Sequence, residues 1–73
     1  MLTPAELHKQ ALRKVSEGNR MAKQGRPGKA KGWWRYAARQ AEKAGAAGLA
    51  ADLWRRVGNE ARARRCEEGI KEG

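Results

Sequence analysis

Almost nothing in this chain could build a β-sheet. It has one pair of valines, Val15 and Val57, a single isoleucine, Ile70, a single threonine, Thr3, and no phenylalanine. No stretch alternates β-branched or aromatic residues with polar ones, so strands are excluded and the fold class expected is all-α. At 73 residues the chain makes one small domain, which buries a smaller share of its surface than a larger one would. The large side chains available for a core are Leu2, Leu7, Leu12, Val15, Met21, Trp33, Trp34, Tyr36, Leu49, Leu53, Trp54, Val57 and Ile70. Much of the remaining apolar content is alanine, which lets helices approach closely but removes little surface from water. A partner, or a second copy of the chain, would add to so thin a core.

Helix boundaries follow from local chemistry. Thr3, Pro4 and Glu6 form a capping box with proline at the first helical position, and Leu2 is placed to staple onto Leu7. Leu7, Ala11, Val15 and Ala22 recur at near-helical spacing, with Leu12 and Met21 alongside, so residues 1–24 are expected to form an amphipathic helix. Gly18-Asn19 predicts a bend or fraying within it. Residues 25–32 combine three glycines, a proline and three cations, and read as a flexible basic linker. A helical hairpin domain is expected over residues 33–73. Trp33, Ala37, Ala41 and Ala44 share one face of its first helix, and Gly45 stops that helix. Leu49, Ala50, Leu53, Trp54 and Val57 form the stripe of its second, in which Trp54 is expected to be structural. Gly58-Asn59 ends that helix and starts a short last one, with Ala63, Cys66 and Ile70 on its packed side.

Charge carries the strongest functional signal. Seventeen Lys and Arg face eight Asp and Glu, a net of +9. The excess runs through residues 1–65, while residues 66–73 are acidic, so a polyanion or an acidic protein surface is the partner class expected. Catalysis lacks an inventory. The lone histidine, His8, has no nucleophile or orienting acid placed beside it, and Cys66 lies between Arg64-Arg65 and Glu67-Glu68, whose effects on a thiol oppose each other. No zinc-ligand spacing or phosphate-binding glycine motif occurs, so no enzyme activity, metal or cofactor is expected. One cysteine allows no intrachain disulfide, no apolar run approaches membrane-spanning length, and the start MLTPAELHKQ lacks the order of a signal peptide. A cytoplasmic location without membrane contact is expected.

Two patterns bear on nucleic acid. Ala41, Gly45, Ala51 and Trp54 have spacing suggestive of a helix-turn-helix, but its second helix would offer Ala47, Gly48, Leu49, Asp52 and Leu53 to the major groove, where base reading wants Arg, Lys, Asn or Gln. Trp33-Trp34-Arg35-Tyr36, after Gly-Lys-Ala-Lys-Gly, mixes aromatics with cations as single-strand binders do. Adjacent helical residues point about 100° apart, so only one of the two tryptophans can sit centrally. Which one stays open, and Trp34 is carried as the partner-facing candidate. The cations expected to bind are Arg35, Arg39, Arg55 and Arg56 on the hairpin helices, joined by Arg26, Lys29 and Lys31 from the linker.

The run from Ala37 to Trp54 resembles the A-x-x-A-E-x-x-G-x-x-x-x-A-x-x-L/M-W signature of the ANR family, small negative regulators of AraC-type transcription activators. The matching positions are Ala41, Glu42, Gly45, Ala50, Leu53 and Trp54. The aromatic usually two residues after the glycine is Ala47 here, and the family's ending has echoes only in Asn59, Arg62, Arg65 and Cys66. The same spacing is similar to the hairpin of tetratricopeptide repeats. Gly32 to Ala38 is similar to the G-L-W-R-R-A-A stretch of PerC-like regulators. These resemblances imply a transcriptional modulator that binds a transcription regulator or a nucleoid-associated protein. The alternatives are a protein that binds DNA or RNA with little sequence readout, and a phage-type inhibitor of a host protein. A homodimer is a further candidate assembly.

Overall fold

The computed structural model describes residues 2–72, and the side chains of residues 2–68. It is all-helical, as the composition requires, with α1 at Pro4–Lys23, α2 at Pro27–Lys43, α3 at Ala47–Arg56 and α4 at Glu60–Glu72. Each helix packs on its neighbours in the chain, α1 on α2, α2 on α3 and α3 on α4, and the Cα atoms fill a slab of 38 × 29 × 14 Å.

One turn is used three times. At Gly45 the backbone is left-handed, with φ of 77°, which glycine adopts without the penalty a Cβ would bring. The N–H of Gly45 donates to the carbonyl of Glu42, and that of Ala46 to Ala41, the paired bonds of a Schellman cap. Ala46 then accepts the first bond of α3 from Ala50, so one residue closes a helix and opens the next. Gly25-Arg26 and Gly58-Asn59 repeat this pattern in every bond. Two helix starts have side-chain caps. Thr3 Oγ1 accepts from the N–H of Glu6 at 3.2 Å, and Asn59 Oδ1 from that of Arg62 at 3.1 Å. Leu2 stays exposed, whereas Leu7 is half-buried.

Three expectations about the first half need correction. Residues 27–32 are not a linker: they are the first turns of α2, and the connection from α1 is only Gln24 to Arg26. Pro27 presets the first helical φ. Fully buried Ala30 joins the inner face of α2, while Gly28 and Gly32 stand on the solvent side with open space around them. Packing on α1 outweighs the poor helix propensity of the glycines. Residues 1–24 are likewise not a separate unit, since Ala11 belongs to the same core cluster as Ala37, Ala41 and Trp54, and Val15 packs against it. Nor does Gly18 interrupt α1. It is buried, and a Cβ there would lie 2.5 Å from Cδ1 and Nε1 of Trp34. Gly18 makes room for an indole.

The core is built mostly of alanine, from Ala11, Ala37, Ala38, Ala41, Ala50, Ala51 and Ala63, with Leu53 and Trp54 as its large members. Trp54 is 3 % exposed, in keeping with its expected structural role. Ala22, expected on the inner stripe of α1, is exposed, and Ile70 lies outside the described side chains.

Candidate functional site

The expected cations do not form one face. Arg35 and Arg39, one turn apart on α2, line a polar groove of about 450 Å³ with Trp54, Val57, Gly58, Asn59 and Arg62. Neither has a carboxylate within ion-pair distance among the described residues. Lys31 lies one turn before Arg35, exposed on the same helix. Arg55 is elsewhere and already engaged, bonding Glu60 at 3.2 Å and also Glu67, so two α4 carboxylates occupy its guanidinium. Arg56 lies over the Trp34 ring, 5.6 Å from its centroid, and donates to Asn19 Oδ1 at 3.3 Å. Arg26 is the exposed N-cap of α2, and Lys29 borders a second, shallow pocket with Gly32, Trp33 and Tyr36.

Trp34, carried as partner-facing, takes a packing position. It is half-buried against the core cluster, between Gly18 of α1 and Arg56 of α3. The helical rotation that turns Trp34 toward these elements turns Trp33 toward the pocket, with Tyr36 beside it. Lys14 Nζ of α1 lies 5.0 Å from the centre of the Trp33 ring and 5.4 Å from that of Tyr36. The spacing from Trp33 to Tyr36, i to i+3, was a usable signal for this pair. Lys14, nineteen positions upstream of Trp33, gave none.

Behind the groove, Glu42 joins three helices. Its Oε1 accepts from Trp54 Nε1 at 2.9 Å, Arg62 Nε at 3.1 Å and Cys66 Sγ at 3.4 Å, and its Oε2 accepts from Arg62 Nη2 at 2.9 Å. The Arg62 guanidinium also covers the Trp54 ring at 4.5 Å. Its hydrogen bonds, helped by those of Trp54 and Cys66, outweigh the opposing effect of burial and hold the Glu42 carboxyl at about 2, against a usual 4.5. Burial, and then Glu42, push the Cys66 thiol up, so it is a protonated donor and not an activated nucleophile. Arg62 thus walls the groove with its charge already matched, and the free positive field there comes from Arg35 and Arg39.

The residues that match the ANR-like signature all prove to be structural. Ala41, Ala50, Leu53 and Trp54 are core, Gly45 is the left-handed turn, and Glu42 is the carboxylate that ties α2 to α3 and α4. In this chain these six residues close the hairpin. Among the described residues no group of His, Cys, Asp or Glu could hold a metal ion, and no helix is long and apolar enough to cross a membrane. No family model, curated protein or solved structure matches the chain.

Proposed function

We propose that the chain binds nucleic acid along the outer face of α2, holding the phosphate backbone with little reading of base sequence. The observation that carries this is the pairing of Arg35 with Arg39: two guanidiniums on a rigid helix, at the edge of a groove, without carboxylate partners among the described residues. A spacing of four residues sets them roughly 6 Å apart along the axis, close to the spacing of successive phosphates. Holding the cations on a helix also lowers the entropy lost on binding, relative to cations on a mobile segment. Asn59, the groove's one amide, is already used as a helix cap, so the groups left open there are Arg35 and Arg39, whose contacts to phosphates carry no sequence information.

A second reading is supported by the run from Ala41 to Trp54. Its pattern is similar to that of the ANR family, and this resemblance is the ground for reading the chain as a transcriptional modulator that docks on a transcription regulator or nucleoid protein. Salt separates the two. Fluorescence anisotropy with a labelled random-sequence oligonucleotide is expected to show affinity falling steeply between about 50 and 200 mM salt, as displaced counterions require. An affinity independent of salt, or no binding at the lower salt, would overturn the first reading.

A further inference from the structure

The shallow pocket at the start of α2 has features that packing does not explain. Trp33 and Tyr36 border it with Lys29 and Gly32, around a volume of about 300 Å³. Neither ring belongs to the core cluster, and Tyr36 is 49 % exposed. Gly32 stands inside a helix where alanine would be more favourable by about 1 kcal/mol, and nothing lies within 4 Å of where its Cβ would be. A side chain there would project into the pocket, so the glycine keeps the rings accessible. The surroundings are cationic: Lys14 lies over both rings and Lys29 forms part of the rim.

We infer that Trp33 and Tyr36 stack unpaired bases, and that the protein therefore prefers single-stranded to double-stranded nucleic acid. This rests on the nucleic-acid reading above and adds the class of strand. An aromatic face accepts any base, which suits binding with little sequence readout, and Lys14 and Lys29 are placed to meet the phosphates flanking a stacked base. The same helix then leads the backbone toward Arg35 and Arg39. A duplex presents similar phosphates but keeps its base faces stacked inside, so it gains the cations alone. The positive rim complements a polyanion, which favours this occupant over an apolar protein segment.

The test compares an oligothymidylate of about 16 nucleotides with a random duplex of the same length, at equal salt, for the full chain and for Tyr36→Leu and Gly32→Leu. The single strand is expected to bind about tenfold or more tighter than the duplex, and each variant to remove most of that advantage while leaving duplex affinity unchanged. Tyr36→Leu removes an exposed ring and Gly32→Leu fills the pocket while sparing both rings, so the two approach the site independently. Circular dichroism confirms that each variant is folded. Equal affinity for both strands, or folded variants that keep the full single-strand advantage, would overturn the stacking and leave the cationic groove standing. Failure to bind either strand would overturn the nucleic-acid reading itself.

Discussion

Trp34 and Trp54 occupy equivalent places in the two halves of the slab and are held by different physics. Each lies where three helices meet, and each carries a guanidinium over its ring, Arg56 at 5.6 Å and Arg62 at 4.5 Å. The indole N–H of Trp54 donates to Glu42, whereas that of Trp34 is buried and has no acceptor among the described residues. The second joint is therefore linked by hydrogen bonds and charge, and the first by the fit of an indole against Gly18. The joint at Trp54 responds to protons, and the one at Trp34 to a single added methyl group.

The largest effect is expected from Trp54→Ala, which empties the centre of a core whose other members are mostly alanine. Loss of a well-buried tryptophan costs roughly 3–5 kcal/mol, enough to unfold a marginal domain. Thermal unfolding followed by circular dichroism measures it, and an unchanged Tm would show that the two joints do not differ in the way described.

Next in size is Gly18→Ala. On helix propensity alone this exchange would stabilise α1 by about 1 kcal/mol, but the new Cβ overlaps the Trp34 indole, and overpacking of this kind costs roughly 1–3 kcal/mol. A net loss of stability is expected, relieved when Trp34 is also replaced by Leu. A more stable Gly18→Ala variant would mean that the joint yields to the methyl group.

The smallest of the three concerns protons. Because the folded Glu42 carboxyl is held at about 2 and the unfolded one lies near 4.5, its contribution is fully present above pH 4.5 and is lost as the pH falls toward 2. With Arg62 partly open to solvent, about 1–2 kcal/mol is expected. Urea unfolding at pH 6 and pH 3 should show this loss in the native sequence and a smaller one in Glu42→Gln. Equal losses would remove Glu42 from the account.

What could be read from the sequence was whatever is decided within a few residues. The N-cap at Thr3, the stops at Gly45 and Gly58-Asn59, and the stripe that buries Leu53 and Trp54 all rest on neighbours one or two turns away. What could not be read depends on residues distant in the chain. Residues 27–32 have the composition of a linker, but Ala30 lies against α1, and burial decides the conformation. Gly18 has the look of a break until Trp34, sixteen positions later, fills the space beside it. The same limit governs the candidate site. Arg35, Arg39, Arg55 and Arg56 are alike as counted charges, yet Arg55 meets Glu67 twelve residues on, and Arg56 meets Asn19 thirty-seven residues back. Charge composition reveals cations and not their partners.

Among the described residues Arg35 and Arg39 lack the carboxylate partners that Arg55 has, and charge exchange tests that distinction directly. The affinity of a labelled random oligonucleotide would be measured for the native chain, for the double variant Arg35→Glu/Arg39→Glu and for Arg55→Gln, each shown to be folded. The α2 double variant is expected to lose at least about tenfold in affinity and to have a shallower salt dependence, while Arg55→Gln binds nearly as the native chain does. Native affinity in the folded double variant, or an equal loss from Arg55→Gln, would contradict it.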